Sequence, residues 1–213
     1  MFNFDFVEIL LRLPAIIVGL TFHEFAHAWV AYKLGDDTAE RMGRLSLNPI
    51  DHFDPLGFFM IMFGPIGWAK PVPINPVRFT RKYSMRTGEV LVSIAGVTMN
   101  LLLAFVSAAV IAVVMRFTDV SFDLVQKMMV PFVTVNVGLM LFNLIPVPPL
   151  DGSKVVAGLL PYQQAQQYAY NMDRYGFMIL LVLVVSGAVS FILDAPLTAI
   201  VNLLLNPAGL YMH

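Results

Sequence analysis

The chain has 213 residues, 58% of them hydrophobic and 13% charged, with a formal net charge of -1. That is too apolar and too weakly charged for an ordinary soluble domain, and the near-neutral balance offers nothing to a nucleic-acid backbone. Cysteine is absent, which excludes disulfides and thiolate metal sites and leaves His, Asp and Glu as the only zinc ligands.

The first predicted element is a span from about Phe6 to Leu34, long enough for a bilayer that takes about 20 residues. It begins among Asp5 and Glu8, with no basic n-region and no A-x-A-like site, so it reads as a retained helix rather than a cleaved signal. Its C-terminal half contains Thr21-Phe22-His23-Glu24-Phe25-Ala26-His27-Ala28-Trp29. On a helix, His23 and His27 are i and i+4 and leave the same face one turn apart. Two imidazoles so spaced can share one Zn²⁺, with Glu24 beside them as a general base for water. Ionisable groups within a span are costly, so their default reading is functional. Six residues separate His27 from Lys33, about 9 Å of helix, which puts the cluster roughly one-third of the way into the bilayer.

Gly35 to Thr87 is polar and rich in turns. The apolar piece inside it, Phe58 to Trp68, is broken by Gly64, Pro65 and Gly67 and follows Gly57, so it cannot span as a helix. Ala69-Lys70-Pro71-Val72-Pro73-Ile74-Asn75-Pro76 has the Pro spacing of an extended chain. The region predicts a membrane-dipping hairpin or loop with short β-strands. A second span covers about Glu89 to Val114 and a third about Val130 to Leu144, joined by a loop with Asp119 and Asp123. Pro161 to Arg174 reads as an amphipathic interfacial helix. A fourth span, about Tyr175 to Leu193, ends at Asp194-Ala195-Pro196. Leu197 to Leu205 is too short to span again, unless the fourth helix continues through a kink at Pro196.

The expected fold is thus an all-α polytopic membrane protein with four to five transmembrane helices and a membrane-dipping loop with short β-strands, in a single embedded domain over 1–213. Lys33 to Arg86 holds eight of the thirteen Lys and Arg, and Lys154 and Arg174 add two. Arg12, Arg116 and Lys127 lie on the other side. Ten against three predicts an N-terminus outside the cell and the His cluster toward the cytoplasm.

A catalytic zinc usually has three protein ligands. Candidates for the third are Asp151, His52, Asp54, Asp51 and Asp194. Asp151 is the best placed, at the end of the third span and at a depth comparable to the His pair. Pro146, Pro148 and Pro149 precede it, and non-helical backbone at membrane depth is tolerated only in protein or beside a water-filled cavity. The alternative is that Asp151 caps a helix beginning at Gly152. His52 reads equally as a gating residue at the cytoplasmic mouth or as a solvated loop His. Asn136 and Asn143 share a helix face, and Asn136 suits interhelix hydrogen bonding.

His23-Glu24-Phe25-Ala26-His27, followed about 120 residues later by Asn143-Leu144-Ile145-Pro146-Val147-Pro148-Pro149-Leu150-Asp151-Gly152, resembles the site-2 protease family of intramembrane zinc metalloproteases. Gly43 to Pro49 and His52 to Gly57 resemble the loop after the zinc helix in short prokaryotic members. The resemblance implies one Zn²⁺ per chain held by His23, His27 and Asp151, and water activated by Glu24. It also implies that Asn143 helps hold the reaction intermediate or the substrate backbone. Expected partners are the lipid bilayer and single-span membrane protein substrates, which must unwind for cleavage. The extended Pro71 to Asn75 is expected to pair with the unwound strand by edge addition. Two departures stand out. Gly96-Val97-Thr98-Met99-Asn100 lacks the Pro of the family's Gly-Pro-x-x-Asn, though Asn100 remains to bond across helices. The length also leaves no room for the PDZ or CBS domains of many members. The competing reading is a non-proteolytic membrane zinc-binding or transport protein. Glu24 argues against it, as does the scarcity of polar residues along the second and third spans.

Overall fold

The computed structural model of the protein describes residues 6–63, 67–80 and 82–209. In chain order the helices are α1 (Phe6–Lys33), α2 (Thr38–Arg41), α3 (Pro55–Phe63), α4 (Met85–Phe117), α5 (Phe122–Met128), α6 (Val130–Asn143), α7 (Asp151–Leu159), α8 (Tyr162–Val185) and α9 (Ala188–Leu205), with single 3-10 turns at Pro49–His52, Pro76–Arg78 and Asn206–Ala208. Polar side chains set several starts. Ser84 accepts from the Thr87 N–H to cap α4, and Ser121 does the same for α5. Asp54 accepts from the Gly57 N–H at 2.7 Å at the start of α3.

Among the described residues, four segments are long and apolar enough to cross a membrane: Ile9–Lys33, Met85–Phe117, Phe122–Asn143 and Ala188–Ala208. α1, α4 and α6 pack on one another, and α9 closes against α4 and α6. Small residues make this possible. Ala104 and Ala108 of α4 are buried one turn apart against Val133 and Val137 of α6 and Val201 of α9. A Cβ on Gly19 of α1 would lie 2.8 Å from a Leu139 methyl and 3.0 Å from Asn136 Oδ1, so α1 and α6 approach at a glycine. Leu102, Phe105, Phe177 and Phe191 point outward, the pattern of a surface facing lipid.

The structure corrects two expectations. Among the described residues there is no β-strand. Residues 69–75 are extended but bond to side chains and a loop carbonyl, and Pro71, Pro73 and Pro76 supply no N–H for a ladder. The apolar piece forms the short helix α3 instead. Gly64 and Pro65 lie outside the described residues. The fourth span is also displaced. The chain is helical through the expected boundary at Tyr175 and breaks at Gly187, whose φ of +77° suits glycine. The fourth apolar segment therefore starts at Ala188, and Pro196 lies within α9 instead of ending a helix.

Candidate metal centre

Two parts of the chain build the centre. α1 presents His23 and His27 on one face. Asp151 comes from the first residue of α7, delivered by the Pro-rich run that follows α6. Gly152 permits that start, since a Cβ there would lie 2.3 Å from the Leu144 carbonyl oxygen and 2.6 Å from that of Ile145. The helix N-cap is Leu150 and has no side-chain cap. Asp151 is therefore not spent on capping and turns to the imidazoles.

His23 Nε2 and His27 Nε2 are 2.9 Å apart, and Asp151 Oδ2 lies 3.2 and 3.1 Å from them. All three residues are buried. The outer ring nitrogens define the chemistry. His27 Nδ1 is 2.7 Å from the Val92 carbonyl, which only accepts, so His27 carries its proton on Nδ1. Asn100 Nδ2 donates to the Gly19 carbonyl at 3.0 Å, which turns Asn100 Oδ1 toward His23 Nδ1 at 2.6 Å. His23 therefore also donates from Nδ1. Two imidazole lone pairs and a carboxylate oxygen are left facing one another, and Asp151 Oδ2 is buried with no hydrogen-bond partner. Such a trio repels itself unless a cation sits among it, and its two nitrogens and one oxygen suit zinc. Among the described residues, no other group of three His, Asp or Glu side chains could hold a metal.

The names of the relatives agree with zinc as the ion. A family model described as peptidase family M50 matches residues 113–186. YwhC of Bacillus subtilis, which is named as a zinc metalloprotease, is 42% identical over 189 residues, covering 86% of this chain and 84% of its own. The chain belongs to peptidase family M50. Two further relatives carry the zinc metalloprotease name Rip2. The one from Mycolicibacterium smegmatis is 27% identical over 85% of this chain and 69% of its own length. The one from Mycobacterium tuberculosis is 30% identical over 78% of this chain and 63% of its own. No solved structure matches the chain. With its four apolar segments among the described residues, this M50 member is a multi-pass membrane zinc metalloprotease.

A cavity of about 190 Å³ opens beside the centre, lined by the three candidate ligands and by Glu24, Asn143, Trp68, Val72 and Lys154. Glu24 Oε2 accepts from the Val72 N–H at 2.9 Å. The extended segment carrying Val72 is held at both ends. Arg44 donates to the carbonyls of Lys70 and Pro71 at 2.7 and 3.3 Å, and Asp36 Oδ2 accepts from the Asn75 N–H at 2.6 Å. Asn143 lines the cavity, where its Nδ2 donates to the Leu139 carbonyl at 3.0 Å.

The remaining third-ligand candidates are elsewhere. His52 is buried, and its Nε2 donates to the Ser46 carbonyl at 2.8 Å, so it is neither solvated nor beside the trio. Asp54 caps α3, Asp51 lies within 3.5 Å of Asn48 Nδ2, and Asp194 is exposed on α9. Asn100 and Asn136 bond across helices as expected. The sequence pattern contains Gly96 but assigns it no role. A Cβ there would lie 2.5 Å from His27 Cε1 and 2.6 Å from His23 Cε1, so α4 reaches the rings only at a glycine. The Gly-x-x-x-Asn spacing was its available signal. Val72 carried none, because a backbone N–H leaves no mark on residue type.

Proposed function

We propose that this chain is an intramembrane zinc endopeptidase, a single embedded domain that cleaves transmembrane protein substrates near the cytoplasmic side of the bilayer, with its N-terminus outside. His23, His27 and Asp151 are its zinc ligands, Glu24 its general base and Asn143 its substrate-orienting amide. The observation that carries the reading is the trio of mutually facing acceptors, buried on apolar helices beside a carboxylate-lined cavity. The basic residues clustered between Lys33 and Arg86 support the orientation.

Zinc held there supplies Lewis acidity that polarises a peptide carbonyl and makes water nucleophilic near neutral pH. Glu24 takes the proton of the attacking water and passes it to the leaving amide nitrogen, so the C–N bond breaks and a free amine departs. Its hydrogen bond from Val72 fixes one carboxylate oxygen and leaves the other for this exchange. Asn143 exchanges its bond to its own helix for one to the substrate carbonyl oxygen, where negative charge develops.

The test is cleavage of a panel of single-span membrane substrates by the purified chain and by Glu24→Gln. Cleavage by wild type that Glu24→Gln abolishes while retaining zinc supports the assignment. Equal cleavage by both removes Glu24 from the mechanism. Cleavage confined to water-soluble peptides overturns the substrate class.

A further inference from the structure

We infer that Asn136 of α6, which does not touch the metal centre, is a positioning residue that sets zinc affinity through Asn100. This rests on the proposed His23, His27 and Asp151 site. Asn100 and Asn136 are buried to 0% and 1% exposure inside the helix bundle. Their amides form one directed chain. Asn136 Nδ2 donates to the Phe132 carbonyl at 2.8 Å, Asn100 Nδ2 donates to Asn136 Oδ1 at 3.0 Å, and Asn100 Oδ1 accepts from His23 Nδ1 at 2.6 Å.

The direction matters because a side-chain amide has two ends. Turned over, Asn100 would put its oxygen against the Gly19 carbonyl and Asn136 Oδ1, both now 3.0 Å from its nitrogen. It would also put its NH₂ against His23 Nδ1. His23 would then carry its proton on Nε2, the atom that faces His27 and Asp151, and would be lost as a ligand. Two acceptors hold Asn100 the right way up, Gly19 O and Asn136 Oδ1. Asn136 Oδ1 is itself committed, because Asn136 Nδ2 is bound back to its own helix. α6 thereby selects the tautomer of a ligand on α1. His27 has a separate anchor in the Val92 carbonyl and provides the internal comparison.

The experiment measures zinc affinity of the detergent-solubilised full chain by chelator competition, alongside thermal melting of the zinc-free protein. Asn136→Leu removes the acceptor, and Asn136→Asp keeps an oxygen facing Asn100. The expected result is a loss of about 10- to 100-fold for Asn136→Leu, the usual cost of losing an outer partner of a metal ligand, with affinity restored in Asn136→Asp. Asn136→Thr carries the same expectation as Leu and keeps a polar side chain that can bond back to its own helix, as Thr134 does here, in case Leu does not fold. Unchanged affinity in Asn136→Leu or Asn136→Thr overturns the inference. So does an equal loss in Asn136→Asp with a lowered apo melting point, because that marks a structural role only. His23→Ala separates the two levels. If it binds zinc like wild type, the metal site itself is wrong. If it loses zinc while the Asn136 variants do not, only the relay fails.

Discussion

Gly96→Ala is a one-carbon change that puts the geometry of the centre at risk. The added Cβ would lie 2.5 Å from His27 Cε1 and 2.6 Å from His23 Cε1 and His27 Nε2. Carbon contacts relax at about 3.5–4.0 Å, so the rings and α4 must separate by about 1 Å. Metal–ligand distances tolerate about 0.2 Å. Neither ring can swing clear while its Nδ1–H is held by Asn100 or Val92. A misplaced ligand costs at least the roughly 10- to 100-fold of a lost outer partner. Two affected rings give a loss of roughly 10²–10⁴-fold by the same scale. Chelator competition measures the loss, with Gly138→Ala as control, since nothing lies within 4 Å of a Cβ there. Wild-type zinc affinity in Gly96→Ala would refute the placement of both rings.

Asp151→Asn removes the anionic member of the trio and should weaken zinc by more than the roughly 10- to 100-fold of an outer-shell change; equilibrium dialysis with zinc checks it, and unchanged affinity would return the third-ligand question to the other acidic residues. Asp36 is fully buried and accepts from the N–H groups of Thr38 and Asn75 at 3.1 and 2.6 Å. Asp36→Ala strands both donors at about 1–3 kcal/mol each, so the expected outcome is a lower melting temperature and new proteolytic nicking between Lys70 and Arg78. Gly187→Ala meets no atom within 4 Å but must hold φ at +77°. It should cost about 1–2 kcal/mol from backbone strain alone, read as a melting shift with zinc affinity intact.

The centre was legible because each of its parts leaves a mark on residue type. His23 and His27 sit at helical spacing within an apolar run, and Asp151 ends a Pro-broken stretch where a helix cannot continue. The first three apolar spans were legible for the same reason of length and composition. Helix ends were read less well. The change from polar to apolar residues near Tyr175 was read as an element boundary, but a change of polarity is no backbone break, and α8 runs through it. Gly176 does not interrupt α8 either. It lies where a Cβ would come 2.9 Å from Pro148 Cδ, so its role is close approach. Pro196 looked like a stop, yet apolar helices accommodate proline where neighbours satisfy the freed carbonyl. The true stop, Gly187, depends on a positive φ that glycine allows and composition does not announce. The extended residues 69–75 were recognised from their prolines, but not their bonding. That depends on Glu24, Asp36 and Arg44, which fold back from 26 or more positions away.

The central claim is that His23, His27 and Asp151 together hold one zinc ion. Zinc per chain, measured by elemental analysis on protein purified in detergent, tests it most directly across wild type, Glu24→Gln, His23→Ala and Asp151→Asn. Near one zinc per chain in the first two, with a marked fall in both ligand variants at unchanged helical content, is the predicted result. A wild-type chain without zinc, or ligand variants that hold it as wild type does, would contradict the account.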